Sequence, residues 1–318
     1  MTRSPHPNRT TVRSLVMTAR MHAIRAAFIG SERAWPAAGA VLADRMWFTV
    51  PPLPRAASRD PTGLPPYEPI SVDVDGRTVR GRAYGTGPTV VLVHGWGGWG
   101  MQLAAFVGPL TAAGHRVITY DALSHGSSDP GPTGATRSSV MEFVAALEAV
   151  VAAYGPPVGV VAHSLGAMAV ARAIKDGLEL ERAVLLAPSQ HPTHVTYYLG
   201  DQLGFGPRVR DRLLDRVERR VGARLDDYDA AAVGRSVPTP AVLVVHDRDD
   251  AHTPYGGGVA IAEAWPDAML VSTQGLGHHR LLREPGVVAE AVDFLVAPAR
   301  SPSDALHPLA RVRGAAVT

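Results

Sequence analysis

A single serine, Ser164, stands between a short β-branched run and a run typical of a helix, with small residues on both sides. Val158–Val161 has the apolar pattern of a buried strand, and Leu165–Ile174 has the pattern of a helix. A tight turn from strand to helix pushes the side chain at its apex out beyond the end of a sheet. Free N–H groups at the start of the helix favour developing negative charge. The sequence therefore predicts that Ser164 is placed for nucleophilic attack.

The turn reads Ala-His-Ser-Leu-Gly over residues 162–166, whereas the usual pattern for such a turn is Gly-x-Ser-x-Gly. Alanine at the first position nearly keeps the small size that close packing of strand and helix requires. A Ser-x-Gly sequence after a strand also occurs in ordinary turns. The assignment of Ser164 therefore depends on partner residues elsewhere in the chain.

His278 is the candidate for the base that a serine hydroxyl needs within hydrogen-bond reach. It follows the last predicted strand of the sheet in the sequence Gly-Leu-Gly-His-His, residues 275–279. A glycine-rich loop of this kind is able to project a side chain over the edge of a sheet. The adjacent His279 would point elsewhere, so we predict that His278 accepts the proton.

Asp250 is the preferred candidate for the carboxylate that orients the base. It lies in His-Asp-Arg-Asp-Asp, residues 246–250, after the predicted strand Ala241–Val245 and four residues before Pro254. A carboxylate in this position would hold the imidazole in one tautomer and stabilise the imidazolium. Asp247 and Asp249 remain alternatives.

Two backbone N–H groups are predicted to bind the developing oxyanion. Leu165 directly follows the nucleophile, and Trp96 lies in the glycine-rich loop His94–Gly100. Glycines in that loop let the backbone approach a substrate closely. His94 is expected to be structural, bonding to the backbone around the loop, and Asp121–Asp129 is expected to be a structural loop near the site.

Alternating strands and helices are predicted to position these residues. Strand-like runs are 89–93, 117–120, 158–161, 183–186, 241–245 and 269–272, and helix-like runs are 101–113, 138–154, 165–175, 259–265 and 284–296. This alternation predicts an α/β fold with a mainly parallel sheet and helices on both faces. An antiparallel hairpin is predicted over Ile70–Tyr84, with its turn at Asp75-Gly76.

Three additions to this core are predicted. Residues 1–65 form an N-terminal helical extension and a proline-rich linker, an insertion at about 188–238 within the main domain 66–298 forms a small helical cap, and residues 299–318 form a flexible tail. Trp35, Trp47 and Phe48 are expected to anchor the extension on the main domain, with a membrane-surface helix as the less favoured alternative. Arginines interrupt its apolar runs too often for a transmembrane span.

Composition narrows the possible partners. The chain has 318 residues with a formal net charge of +2, and its arginines are scattered, which argues against nucleic-acid binding. It has no cysteine, which excludes disulfides, thiolate nucleophiles and cysteine-ligated zinc. Without a clear signal peptide, we expect a cytoplasmic location. His191 and His194 have a spacing seen in metal sites but no carboxylate nearby in sequence, so neither a metal nor a cofactor is expected.

The chain resembles the α/β-hydrolase superfamily from about residue 70 to residue 296. The resemblance rests on His94–Gly98, on Asp121-x-x-x-His125-Gly126-x-Ser128, on the turn at Ser164, on Asp250 and on Gly277–His278, in the family's order of nucleophile, acid and histidine. Alanine in place of the first glycine of the turn and the lack of a proline after Asp121 depart from the family pattern.

The resemblance implies an α/β-hydrolase fold and a serine hydrolase that needs no cofactor. Ser164, His278 and Asp250 would form the triad, and Trp96 and Leu165 the oxyanion hole. The expected substrate is a small-molecule carboxylic ester with a small or medium acyl group. Thioester or lactone hydrolysis and acyl transfer would use the same residues, and a non-catalytic ligand-binding protein is the remaining alternative. Dehalogenase and epoxide hydrolase chemistry is disfavoured, because those relatives carry an aspartate at the position of Ser164.

Overall fold

The computed structural model describes residues 9–54, 61–297 and 313–314. Its strands are β1 (Tyr67–Val74), β2 (Arg77–Tyr84), β3 (Thr89–Val93), β4 (Arg116–Tyr120), β5 (Gly159–His163), β6 (Arg182–Leu186), β7 (Ala241–Asp247), β8 (Ala268–Thr273) and β9 (Arg313–Gly314). Its helices are α1 (Arg9–Ala34), α2 (Pro36–Trp47), α3 (Val107–Ala112), α4 (Val140–Tyr154), α5 (Leu165–Lys175), α6 (Pro192–Leu203), α7 (Pro207–Val221), α8 (Ala230–Ser236), α9 (Tyr255–Ala264), α10 (Gly277–Arg280) and α11 (Pro285–Val296).

The strands form one sheet in the order β1-β2-β4-β3-β5-β6-β7-β8-β9. β1 pairs antiparallel with β2, and β2 with β4, while every later pairing is parallel. The predicted α/β fold with a mainly parallel sheet and an antiparallel hairpin at one edge is confirmed. Because the carboxyl ends of parallel strands meet at one edge, the loops after β3, β5, β7 and β8 lie together.

The central strands are buried along almost their whole length, which explains their continuous apolar sequences. All residues of β3, β5 and β6 are buried, as are the six residues of β7 that follow Ala241. A strand covered on both faces needs a continuous apolar run rather than an alternating one. By contrast, β1 alternates buried and exposed residues from Ile70 onward, as the sequence predicted for an edge hairpin.

One predicted helix differs in the structure. The run predicted as a helix over 101–113 consists of a 3-10 segment, Gly100–Phe106, followed by the short helix α3. Leu103 has non-helical backbone angles within this segment. Pro109 has no N–H to donate to the preceding turn, so a single continuous helix through it would lose a hydrogen bond. The chain therefore starts a new helix just before this proline.

A second compact unit consists of residues 1–47 and 195–223, while residues 48–194 and 224–318 form the unit that contains the sheet. Within the helical unit, the Glu32 carboxylate accepts hydrogen bonds at the start of α7 from the N–H groups of Gly206, Arg208 and Val209, at 3.0, 2.9 and 3.0 Å. The rings of Phe28 and Phe205 lie 5.2 Å apart. The N-terminal helices thus pack against part of the predicted insertion.

The expectation that Trp35 anchors the N-terminal extension is wrong. Its side chain is 69% exposed, whereas Phe48 is buried and Trp47 is half-buried. Except for β9, the predicted flexible tail 299–318 lies outside the described residues. Across the part of the chain that the structure describes, the helices are all too short or too polar to cross a membrane.

Candidate active site

Ser164 occupies the apex of the predicted turn between β5 and α5. Its backbone angles, φ 52° and ψ −117°, are strained for a residue other than glycine. Its N–H donates to the carbonyl of Leu186 at 3.1 Å, which fixes the turn to the neighbouring strand. A Cβ atom at Gly166 would lie 2.7 Å from the carbonyl oxygen of Val93, so only glycine fits there. The strand, turn and helix hold the serine side chain at the edge of the sheet.

Asp250 and His278 are in direct contact. The Asp250 Oδ2 atom lies 2.7 Å from His278 Nδ1, and the carboxylate side chain is wholly buried. Oδ1 accepts hydrogen bonds from the N–H groups of His252 and Thr253, at 2.7 and 3.0 Å. This arrangement fixes the orientation of the imidazole and leaves its Nε2 atom available to a hydroxyl.

The carboxyl of Asp250 is held in its charged form. Burial alone would raise its pKa, but hydrogen bonds from His246 and His278, the charge of His278 and the Thr253 N–H together hold the pKa well below its usual range. His246 Nε2 lies 3.5 Å from Oδ2, on the other side of the carboxylate. An ionised Asp250 is able to stabilise an imidazolium throughout the neutral pH range.

The two alternative aspartates bind the loop that carries His278 rather than the imidazole itself. Asp247 Oδ2 accepts hydrogen bonds from the Thr273 hydroxyl at 2.7 Å and from the Leu276 N–H at 2.9 Å. Asp249 Oδ2 accepts one from the Gly275 N–H at 3.0 Å. The structure thus brings Asp250, and neither Asp247 nor Asp249, into contact with His278.

His163 connects the turn at Ser164 to the His278 loop. Its Nε2–H donates to the carbonyl oxygen of His278 at 3.1 Å, and the two imidazole rings are 4.6 Å apart. The Ser164 hydroxyl makes no hydrogen bond to any other described residue. Contacts between a nucleophile and its base often tighten only when substrate binds, so this geometry is compatible with a catalytic role.

The loop after β3 approaches Ser164 closely and is held by two histidines. A Cβ atom at Gly95 would lie 2.9 Å from Ser164 Cβ. His94 donates through Nδ1 to the Gly95 carbonyl at 2.7 Å and accepts through Nε2 from the Ala122 N–H at 2.9 Å, the backbone-bonding role that the sequence predicted. His125 Nε2 accepts from the Gly97 N–H at 3.1 Å.

The predicted oxyanion donors remain available. The N–H groups of Trp96 and Leu165 donate to no other residue in the described ranges. Leu165 is the first residue of α5, where an N–H has no acceptor within the helix. The carboxylate of Asp121 supports the loop by accepting hydrogen bonds from the N–H groups of Gly100 and Ser127, both at 2.7 Å. One of these two donors directly follows the serine, and the other lies in the loop whose Gly95 approaches it.

Buried histidines beneath this loop are held neutral. Burial lowers the pKa of His94, and burial together with the charge of His94 lowers the pKa of His125 to about 3. The ring of His125 lies 5.0 Å from that of Phe143 and 5.5 Å from that of Trp96. Protonation of His125 would put a charge into this aromatic cluster and compete with its acceptance of the Gly97 N–H.

We expect the protein to lose stability in mild acid partly through His125. Its pKa falls from 6.5 in the unfolded chain to about 3 in the folded chain, so this stability is present above pH 6.5 and is lost progressively as the pH falls toward 3. Between pH 7 and pH 5 the loss should be about 2 kcal/mol. The measurement is the free energy of urea unfolding at both pH values for the wild type and His125→Gln.

The His125→Gln variant should show a pH dependence that is weaker by about this 2 kcal/mol. His22→Gln, which changes an exposed histidine in α1, is the matched control and should keep the wild-type dependence. If the pH dependence of the unfolding free energy is unchanged in His125→Gln, His125 takes up no additional proton when the protein unfolds.

Sequence reasoning missed a cluster of histidines around His278. The ring of His252 stacks on that of His278 at 5.0 Å, and the ring of His279 lies 4.9 Å from it. Burial and the neighbouring charges of His278 and His252 lower the pKa of His279 to about 4. The sequence signals for this cluster are the adjacent pair His278 and His279, His163 directly before Ser164, and His252 two residues after Asp250.

The pair His191 and His194 does gain a carboxylate through folding, since His191 Nε2 lies 3.3 Å from Asp226 Oδ1. Even so, this pair is not part of a three-ligand group in the part of the chain that the structure describes. Within the described ranges, only His163, His278 and His279 bring three possible ligand atoms within 4.8 Å of one another. Among the described residues, these three are the ones that could hold a metal ion.

Comparisons with known proteins agree with this fold. A model described as the alpha/beta hydrolase family matches residues 90–291. No curated protein matches the sequence. Similar solved structures include a bromoperoxidase from Bacillus anthracis, with 20% identity, a TM-score of 0.54, and coverage of 72% of this chain and 99% of that one.

Two other similar structures are an esterase and a thioesterase domain. The esterase, from Exiguobacterium antarcticum, has 16% identity and a TM-score of 0.56, and the match covers 72% of this chain and 99% of the esterase. The thioesterase domain, from the curacin biosynthetic pathway, has 17% identity and a TM-score of 0.53, with coverage of 73% and 99%. At these identities the structures show a shared fold.

Proposed function

The chain belongs to the alpha/beta hydrolase family, and on that premise we propose that it is a serine hydrolase that cleaves small-molecule carboxylic esters through an acyl-enzyme. The observation that carries the proposal is the 2.7 Å contact between Asp250 and His278, in a loop bonded to the strained turn at Ser164. A nucleophile, an oriented base and two backbone donors are the parts that acyl transfer requires.

In the first half of the proposed reaction, Ser164 Oγ attacks the ester carbonyl carbon while His278 Nε2 takes the hydroxyl proton. Asp250 keeps the Nδ1–H of His278 in place and stabilises the imidazolium. The Trp96 and Leu165 N–H groups bind the oxygen that becomes negatively charged. Collapse of the tetrahedral intermediate breaks the bond to the alcohol, which leaves with the proton from His278.

In the second half, water attacks the acyl-enzyme and gives its proton to His278 Nε2. The second tetrahedral intermediate collapses, the carboxylic acid leaves, and the proton returns to Ser164 Oγ. The strained turn keeps the Ser164 hydroxyl accessible for the first attack and the acyl group on Oγ accessible to water for the second. The proposed reaction uses side chains, backbone N–H groups and water only.

A thioester is the second candidate substrate, because the similar structures include a thioesterase domain as well as an esterase. The same attack and the same oxyanion serve both substrates, since only the leaving group differs. Oxygen esters are favoured because several of the similar solved structures are esterases.

The test is covalent labelling with a fluorophosphonate, followed by intact mass and peptide mapping. We expect one adduct per chain, on Ser164. Parallel rates with p-nitrophenyl esters from C2 to C12, and with an oxygen ester and a thioester of one acyl group, would define the substrate class. Folded protein without an adduct and without turnover on any of these would contradict the proposal and favour a non-catalytic protein of this fold.

A further inference from the structure

Four histidines lie with their rings in contact at the candidate site, although the proposed reaction needs only one. The ring centroids of His278 are 4.6 Å from His163, 4.9 Å from His279 and 5.0 Å from His252. They come from three separate segments, at the ends of β5, β7 and β8. His278 is oriented by Asp250, while the others have no part in the acyl transfer described above.

Three of these side chains present ligand atoms to one another. One ring nitrogen each from His163, His278 and His279 lies within 4.8 Å of the other two. His163 and His278 are buried, whereas His279 is exposed, so the group combines two buried side chains with one that reaches solvent. Three imidazole nitrogens with an open fourth position are a common ligand set for zinc.

One buried ring nitrogen of His163 is left without a hydrogen-bond partner within the described part of the chain. His163 donates through Nε2 to the His278 carbonyl, while its Nδ1 is buried and has no hydrogen-bond partner among the described residues. That atom packs against Gly95, where a Cβ would come within 2.9 Å of it, so only glycine fits beside it. A buried ring nitrogen without a partner is costly unless something binds it.

His278 has the environment of a metal-binding histidine. Its Nδ1 is bound to the Asp250 carboxylate at 2.7 Å, which leaves Nε2 as the free atom. A carboxylate behind the imidazole fixes its tautomer and its ring orientation, as it does for histidine ligands of zinc.

We propose that His163, His278 and His279 form a binding site for a divalent transition-metal ion, with Zn²⁺ as the best fit. A water molecule completes the fourth position. Imidazole nitrogen suits Zn²⁺, whereas Mg²⁺ and Ca²⁺ prefer oxygen ligands, so the site selects against the latter two.

Occupation of this site would inhibit the hydrolase. The lone pair on His278 Nε2 that accepts the proton of Ser164 is the lone pair that the metal takes, so the two uses exclude each other. This inhibition rests on the proposed function, whereas metal binding itself does not. Removing the metal with a chelator frees the base, so the inhibition is reversible.

The test uses the untagged full chain, titrated with ZnSO₄ in a calorimeter and with Co²⁺ as a spectroscopic probe. We expect one Zn²⁺ per chain, a rise in Tm with zinc, and the intense visible absorption of Co²⁺ in tetrahedral coordination. His279→Gln should weaken zinc binding at least about tenfold. Mutating a residue that only hydrogen-bonds to a metal ligand lowers metal affinity about 10- to 100-fold, and loss of a ligand itself should cost no less.

Two control variants show whether zinc binds at these three histidines. Ser164→Ala should bind zinc like the wild type, so binding is measured without any reliance on catalysis. His191→Gln changes the other histidine pair and should leave binding unchanged. Zinc binding that survives in His279→Gln, or that is lost in His191→Gln, would overturn the proposal.

Activity measurements distinguish the two proposals. With ester turnover present, zinc should inhibit the wild type, and excess EDTA should restore the rate. Turnover that is unaffected at saturating zinc would overturn the site, because His278 is required for both. If zinc binds in a His279-dependent way but the protein shows no turnover or labelling, the metal site stands and the proposed function fails.

Discussion

Replacing Ser164 with alanine should abolish both ester turnover and fluorophosphonate labelling while leaving the fold intact. The change removes only Oγ, the atom proposed to attack the carbonyl. In a serine hydrolase, loss of the nucleophile lowers kcat by up to about 10⁶-fold, and binding and the oxyanion hole account for the rate that remains. The measurement is kcat with a p-nitrophenyl ester, together with the labelled mass.

The stability of the Ser164→Ala variant should stay close to that of the wild type. Alanine keeps the Cβ atom and faces the same strained backbone angles as serine at φ 52°. The Ser164 N–H and carbonyl groups, which bond to Leu186, Ala167 and Ser189, are unaffected. Loss of activity in this variant is therefore a chemical effect, and unfolding curves would verify it.

Ser236→Ala is the matched control for this substitution. It removes a serine hydroxyl at the end of α8, where Oγ donates to the Val233 carbonyl at 3.1 Å, away from the residues of the proposed triad. It should retain both labelling and turnover. A Ser164→Ala protein that still carries the label, or that hydrolyses esters at the wild-type rate, would show that another residue is the nucleophile.

The sequence is informative about the sheet because burial on both faces imposes a visible pattern. Short continuous apolar runs predicted β3, β5 and β6, and each strand is buried over all five residues. Asp75-Gly76 predicted the hairpin between β1 and β2, and both residues have positive φ there. Local sequence patterns of this kind are sufficient to predict a strand or a hairpin, because its own residues determine its structure.

Contacts between distant segments carry no such local signal. His163 bonds to His278 across 115 positions, and Glu32 bonds to Gly206 across 174. Nothing in the composition of α1 or α7 indicates that they pack together. The expected anchoring role of Trp35 failed for the same reason, because a large apolar side chain predicts burial only on average. The histidine cluster as a whole could not be predicted from the sequence, because three separate segments build it.

The acid of the proposed triad shows the same limit in one short segment. Asp247, Asp249 and Asp250 lie within four residues, and the sequence favoured Asp250 only by its distance from Pro254. In the structure each carboxylate has a different partner: Asp247 binds Leu276, Asp249 binds Gly275 and Asp250 binds His278. Replacing Asp250 and Asp247 one at a time with asparagine tests which of them supports catalysis.

Asp250→Asn should lower kcat by about 10⁴-fold, as expected when the base is held in the wrong tautomer. The amide oxygen would take the place of Oδ1, which accepts from the N–H groups of His252 and Thr253. The amide NH₂ would then face His278 Nδ1 and donate to it. The imidazole proton would move to Nε2, which is then unable to accept the proton of Ser164.

Asp247→Asn should instead act mainly on stability. Asp247 Oδ1 accepts from the Asp249 N–H at 3.0 Å and Oδ2 from the Leu276 N–H at 2.9 Å, so an amide must face one of these donors with its own NH₂. Leaving a buried backbone donor unpaired costs about 1–3 kcal/mol. The His278 loop would be less firmly held, but the imidazole would keep Asp250 and the tautomer that catalysis needs.

The pair of variants therefore separates tautomer control from loop support. Initial rates and urea unfolding should be measured on both proteins at neutral pH. We expect a large loss of kcat with modest loss of stability for Asp250→Asn, and the reverse for Asp247→Asn. If the rate instead falls about 10⁴-fold in Asp247→Asn while Asp250→Asn remains active, the 2.7 Å contact to His278 is structural and the acid has been misassigned. Because both substitutions replace one carboxylate with an amide within the same four residues, this difference would come from position alone.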